Sequence, residues 1–343
     1  MLRLNTNIAI QSQPSDTQLT TDFTQGQGLD FDFVHEVRMS SSWDIFTDTC
    51  QIIIPRKLRY KRNGNVIENV ISGDDPLFKR GDLAKIVAGY GVDQIAERFR
   101  GYISNVSPRN PLVIDLQDAM YLLKQKTISK YSKRGVTLES LLSDIMPENI
   151  PFETTVEFEI GKFIIERATI AEVLEFLRKQ YGIISYFRKG VLYSGVAYRL
   201  KGIDQVKLHD IDLDSVGINT DNLIYQRSDD QRIKVTGVSV YPDNTKKEVT
   251  VGDTDGGERT QYFYNVPESS LKTYAEEQLE KFKYTGFSGS FTTFLNPYIQ
   301  HGDAVRLFSE KIPDAQGVYL VKSVETSTGV NGGRQEIELD IKI

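Results

Sequence analysis

Apolar and polar residues alternate with period two over long tracts of this chain, the pattern of strands that bury one face. Leu2, Leu4, Ile8 and Ile10 fall on even positions. Leu29 to Val34 alternates, and Phe33 begins a stretch running through Val37 and Met39. Asp48 to Ile54 reads as a strand stopped by Pro55, since proline cannot donate to a central ladder. Asn63-Gly64 is a hairpin signal between Leu58 and Tyr60 on one side and Val66 and Ile67 on the other. Many short strands with turn signals predict a small barrel or sandwich up to about Gln117.

The period then changes to that of helices. Asp118 to Lys126 has helical spacing, with Ala119, Leu122 and Leu123 on one face. Thr137 is placed to cap a helix over Leu138 to Met146, and Thr169-Ile170-Ala171-Glu172 is a capping box. The helix it opens carries Ile170, Val173, Leu174, Leu177 and Tyr181 on one face and ends at Gly182. Two short strands, Ile183 to Phe187 and Val191 to Tyr193, turn at Lys189-Gly190. From about Lys201 the strand pattern returns, with Ile233 to Val240 and Lys247 to Val251 placed to pair across Pro242-Asp243-Asn244. One amphipathic helix interrupts it at about 267–284, with Leu271, Tyr274, Ala275, Leu279 and Phe282 sharing a face. The expected organisation is a β domain over 1–117, an α+β domain over 118–200, and a second β domain over 201–343 that carries the helix as an insertion.

One pattern occurs twice. Phe78-Lys79-Arg80-Gly81-Asp82-Leu83-Ala84-Lys85-Ile86-Val87 reappears as Ile299-Gln300-His301-Gly302-Asp303-Ala304-Val305-Arg306-Leu307-Phe308. A second strand follows each copy, at Gly101 to Val106 and Gly317 to Val324. Each copy then closes on an alternating strand, Leu112 to Leu116 and Ile337 to Ile343. Gly81-Asp82 and Gly302-Asp303 are turn residues by type, because glycine takes positive φ and aspartate bonds nearby main chain. Two unrelated hairpins are the plainer reading; the shared order of three elements favours a duplicated module. A chain carrying one module twice can build a ring with double the symmetry of its subunit count.

Composition narrows the chemistry. The chain has 343 residues, a formal net charge of −6, one cysteine, three histidines, and 17 each of tyrosine and phenylalanine. The charge gives no general affinity for nucleic acid or anionic lipid. Cys50 alone excludes an intrachain disulfide and any multi-cysteine zinc site, and reads as a small core residue. No apolar run approaches a membrane span or a leader, so folding in a reducing cytoplasm is expected. Gly286-Phe287-Ser288-Gly289-Ser290 fails the nucleophile-elbow pattern, and Gly26-Gln27-Gly28 fails the dinucleotide fingerprint. No catalytic, cofactor-binding or metal-ligating residue is assigned. Asn105-Val106-Ser107 has sequon spacing, which chance explains in a strand of a cytoplasmic product. Lys124, Lys126, Lys130, Lys133 and Arg134 form a basic run across a helix end and its loop, either a solvated face or a partner-docking site. Asp204, Asp210, Asp212, Asp214 and Asp221 form an acidic stretch, either a solvated linker or a wall repelling DNA. Trp43 reads as a core residue or as an interface anchor.

Several segments, in order, resemble the tail hub proteins of phage baseplates. That group includes late control protein D and the N-terminal part of type VI secretion spike proteins. The segments are Met39 to Pro55; Gly81-Asp82 with Gly89-Tyr90 and Phe99 to Ile103; Ala168 to Gly182 with Leu192 to Gly195; and Pro297 to Asp303 through Gly317-Val318-Tyr319 to the final strand. The resemblance implies two tube-type β-barrels flanking the α+β domain, in a non-enzymatic homotrimer of the virion, assembled in the host cytoplasm. Six barrels from three copies would match a sixfold tail tube (or distal tail protein) on one side and a threefold central spike on the other. A channel would pass DNA or a tape-measure protein, with no small-molecule substrate and no cofactor. The chain stops at the second barrel's last strand, so the spike is expected to be a separate polypeptide. Two other classes stay open from the residues alone: a cell-wall hydrolase using a carboxylate pair, and a glycan-binding surface module.

Overall fold

The computed structural model describes residues 3–12, 28–62, 64–71, 77–91, 94–196, 206–313 and 316–343. The chain is mainly β with an α+β insert. Its centre is one 15-stranded sheet to which both ends of the chain contribute.

At the N-terminal end, five strands lie side by side in the order Glu36–Ser42, Thr49–Ile54, Leu112–Gln117, Gln94–Ser107 and Leu83–Tyr90, each antiparallel to its neighbour. At the C-terminal end the order is Leu223–Gln226, Gly286–Thr293, Gly332–Lys342, Gly317–Gly329 and Ala304–Phe308, again all antiparallel. The two sets follow the same path through the chain. They also share register: Ile52 faces Ile114 in one and Phe291 faces Ile337 in the other. Each set carries a bulge at the matching step, between Ile103 and Asn105 and between Val321 and Ser323. The sixth strand breaks the likeness, since Leu4–Gln11 runs antiparallel to Leu83–Tyr90 whereas Leu208–Asp212 runs parallel to Ala304–Phe308. Leu29–Phe31 and the hairpin Lys57–Arg62 with Asn65–Val70 extend the first set. Asn63 of that hairpin turn lies outside the described residues, as do Gly26, Gln27 and Asp204.

Period-two alternation supplies each set with its own core, because alternate side chains of a strand leave the same face. Ile8, Ile52, Ile86, Ile103 and Ile114 are fully buried in the first core, with Cys50 beside them. Phe291, Tyr319, Val321 and Ile337 fill the second.

The middle segment begins with a helix far shorter than its spacing predicted: α1 spans only Met120–Leu123. Asp118 Oδ1 accepts from Met120 N at 3.0 Å to start the turn, and the chain leaves it to pair Thr127–Ile128 with Ala168–Thr169. Tyr131–Thr137 is a strand against Glu159–Ile165, so the basic run ends on a strand rather than a loop. Helix α2, Leu138–Ile145, is capped by Thr137, whose side chain accepts from Ser140 N. Helix α3, Ile170–Tyr181, has the expected Thr169–Glu172 capping box and stops at Gly182, φ +66°. The hairpin Ile184–Arg188 with Val191–Gly195 follows.

The insertion in the second set is larger than one helix. Ile233–Val240 pairs with Lys246–Gly252 as expected, but also in parallel with Gly257–Tyr264. Helix α4, Glu268–Phe282, buries Leu271, Ala275 and Phe282. Ala275 and Phe282 share an apolar cluster with Val235 and Val251 of this small sheet and with Ala304, Leu320 and Ile341 of the main one. Among the described residues no helix is long and apolar enough to cross a membrane.

Candidate assembly interface

The Gly-Asp turns are built alike to the level of single hydrogen bonds. Gly81 has φ +91° and Gly302 φ +76°, conformations that favour glycine. Gly81 N donates to Ile103 O and Gly302 N to Val321 O, both at 2.8 Å. Ile103 N returns to Asp82 O and Val321 N to Asp303 O, both at 2.9 Å. The two carboxylates close the turn, Asp82 Oδ2 accepting from Lys79 N at 2.9 Å and Asp303 Oδ2 from Gln300 N at 3.1 Å.

Asp303 carries a further load. It accepts from His209 Nε2 at 3.1 Å and from Arg188 Nη2, an arm reaching across from the middle segment. Burial alone would raise its carboxyl, but the His209 bond and the Arg188 charge hold it below the usual carboxylate value. The second turn is thereby tied to the α+β segment.

The two five-stranded sets meet edge to edge. Gly317–Gly329 outruns its neighbour Ala304–Phe308, and its second half, Ser323 to Gly329, pairs antiparallel with Ser42 to Glu36 of the first set. Thr6 and Thr328 share a buried hydroxyl bond of 2.8 Å across this seam, and Tyr90 Oη donates to Gly333 O at 2.9 Å. Trp43 lies half-buried at the seam's end, its backbone N–H donating to Lys322 O at 3.4 Å.

Behind the seam lies a cavity of about 810 Å³ bounded by both sets and the middle segment. Asp48 holds the seam's turn, accepting from Ser41 Oγ at 2.6 Å and Ser42 N at 3.1 Å, while Asp118 Oδ2 faces Asp48 N at 3.3 Å. Burial pushes the Asp48 carboxyl up to about 7, against the pull of those bonds. Burial and the Asp48 charge raise Asp118 well above the ordinary range. His301, 2 % exposed, is lowered to about 4 by burial and by the Arg188 charge. Arg98 crosses from the first set to donate to Leu295 O and lies 4.3 Å from the Tyr298 ring centroid. These groups bind modules together, and both carboxylates are engaged with main chain.

The opposite, polar face of the joined sheet forms a groove of about 700 Å³ shared by both sets. Asp115, Glu325 and Glu336 face Arg38 and Arg334 along it. Arg38 is paired with Glu36 at 2.8 Å, Asp115 with Gln51 at 2.9 Å, and Glu336 with Ser290 at 2.6 Å.

The remaining sequence candidates are dispersed. Lys124, Lys126, Lys130, Lys133 and Arg134 are all exposed, spread from the end of α1 to the strand Tyr131–Thr137. Lys124 donates to Gln117 and Lys133 to Asp144. The described part of the acidic stretch is locally engaged: Asp210 pairs with Arg306, Asp212 caps Asp214 N, Asp214 accepts from Glu310 N, and Asp221 binds Asn219. It is not a linker at Asp210 and Asp212, since Leu208–Asp212 is a strand of the main sheet. The seam, Arg98, Asp118 and the Arg188–Asp303–His209 cluster went unseen in the sequence, because each joins residues far apart in the chain. Among the described residues no group of three acidic, histidine or cysteine side chains could hold a metal ion.

This architecture is that of phage tail proteins. The chain is similar to a tail protein of Neisseria meningitidis, at 14% identity over 99% of this chain and 96% of that one, TM-score 0.60. It is similar to the 43 kDa tail protein of prophage MuSo2 from Shewanella oneidensis, at 14% identity over 98% of each chain, TM-score 0.55. It is also similar to a chain of the Francisella PdpA-VgrG complex, at 12% identity over 99% of this chain and 53% of that one, TM-score 0.54. No protein-family model and no curated protein matches the sequence.

Proposed function

We propose that this chain is a structural hub of a phage-type tail, built as a homotrimeric ring of six related β modules. The carrying observation is the pair of five-stranded sets with one strand order, already joined edge to edge within a single chain. A subunit with two near-equivalent modules lets three copies present sixfold geometry to a tail tube or distal tail protein, and threefold geometry to a central spike. In this reading the units are 1–117, 118–200 and 201–343, and the Gly-Asp turns at Gly81, Asp82, Gly302 and Asp303 set the shape of each module. The polar groove face lines the channel for DNA or a tape-measure protein. Its acidic groups, set on a chain of net charge −6, disfavour adhesion of DNA. The protein acts in the virion without catalysis. Light scattering or native mass spectrometry tests this: a trimer supports the reading, and a monomer at all concentrations contradicts it.

One observation favours a second reading. Asp48 and Asp118 both line the 810 Å³ cavity with raised carboxyl pKa values, as a cell-wall hydrolase would require. Their hydrogen bonds to Ser42 N and Met120 N fit a seam-holding role better. Peptidoglycan clearing by the purified chain, abolished in Asp118→Asn, would overturn the structural assignment. No clearing is expected.

A further inference from the structure

The intrachain seam has an unused counterpart. Each set offers a long strand whose second half lies beyond its neighbour, and a leading strand with a second edge. In the C-terminal set the long strand's free half is covered by the N-terminal set's leading strand, Ser323 opposite Ser42 and Val324 opposite Ser41. Among the described residues the reciprocal pair of edges has no strand partner. Leu83–Tyr90 stops pairing with Gln94–Ser107 at Tyr102, so among the described residues Asn105-Val106-Ser107 bonds Leu112–Gln117 on one side and has no strand on the other. Among the described residues Leu223–Gln226 ends the sheet, pairing only with Gly286–Thr293. Two apolar side chains stand out from that short edge strand, Ile224 at 65% and Tyr225 at 44% exposure. Exposed edges of this kind are templates for another strand.

The geometry points to a second copy of this chain as the occupant, with Asn105–Ser107 of one copy pairing antiparallel to Leu223–Gln226 of the next. This rests on the ring reading above and assigns its interface. The register follows from the shared bonding of the two sets. His35 N donates to Ile53 O and Asn219 N to Thr292 O, each at 2.9 Å, which places Ser41 and Tyr225 at equivalent positions. The matched bulges place Val324 and Val106 at equivalent positions. Val324 faces Ser41 inside the chain, so Val106 faces Tyr225 of the neighbouring copy, with Asn105 opposite Gln226 and Ser107 opposite Ile224. The contact joins two different edges, hence it is heterologous and propagates to a ring if its rotation closes. Pro108, without an N–H, ends this seam after three residues, against seven inside the chain. Copies therefore separate before modules do.

Engineered disulfides read the register directly, because directly opposed strand residues lie within disulfide reach. The sole native cysteine, Cys50, is buried and does not interfere. The full-length chain carrying Val106→Cys and Tyr225→Cys, oxidised with oxidised glutathione, is expected to give covalent dimers and trimers at least tenfold above either single variant. The pair Val106→Cys with Ile224→Cys, slipped to the opposite face, is expected to give none. A trimer by light scattering without cross-linking of the first pair overturns this edge pairing and leaves the ring reading standing. A monomer without cross-links at every concentration overturns both.

Discussion

At the scale of single residues, Gly81 and Gly302 separate backbone strain from packing. A Cβ at Gly81 would meet only Tyr121 Oη at 3.8 Å, and one at Gly302 only Arg188 Nη1 at 3.4 Å. Replacement by alanine therefore costs mainly the positive φ, about 1–2 kcal/mol at each site. Chemical denaturation should show Gly81→Ala and Gly302→Ala destabilised by similar amounts, with Asn recovering part of the loss. Very unequal losses would mean that the two turns are not built alike.

Asp48 makes a pH prediction. Its folded pKa, raised to about 7 by burial, exceeds the ordinary value of 3.8. A raised carboxyl contributes stability that is full below about 4 and is lost as pH rises through about 7. Asp48→Asn keeps one oxygen as the acceptor for Ser42 N, turns its amide N–H towards the Ser41 hydroxyl, and removes that loss. The variant should gain stability relative to the parent between pH 5 and pH 8; parallel curves would contradict a buried, neutral Asp48. His301 has the opposite sign: lowered to about 4 by burial, it contributes stability present above about 6.5 and lost as pH falls through 4.

At the scale of elements, helix ends were the most legible part of the chain, because caps are local chemistry. Thr169 accepts from Glu172 N, and Glu172 in turn accepts from Thr169 N at 2.7 Å, as the four-residue motif implies. Thr169→Ala should lower stability by about 1 kcal/mol in a thermal melt. The Gly-Asp strands were legible for the same reason, turn residues followed by clean alternation. The strand Tyr131–Thr137 was hidden because it buries only Tyr131 and Val136, five positions apart around an irregularity, and so lacks period two. Gly257–Tyr264 was hidden because no residue in it is fully buried. Helical spacing misled at 118–126, where Leu122 and Leu123 are buried by a single turn packed into the core rather than by a helix face.

At the scale of the whole molecule, the doubled module was visible as a sequence pattern, whereas its use was not. The seam pairs Ser323 to Gly329 with Ser42 to Glu36, strands that carry serines and threonines and give no local sign of joining two units. The sequence also concealed that Leu208–Asp212 runs parallel where Leu4–Gln11 runs antiparallel, so the modules match over five strands and then diverge. In the proposed ring, the five matched strands supply the sixfold likeness and the divergent edges leave room for different neighbours.

The central claim, that two modules per chain serve a threefold assembly with sixfold character, is tested most directly by native mass spectrometry with imaging of the same particles. The expected result is a mass three times that of the 38.9 kDa chain and a ring of six similar densities around a hole. A monomer, or a closed dimer without a central opening, would contradict it.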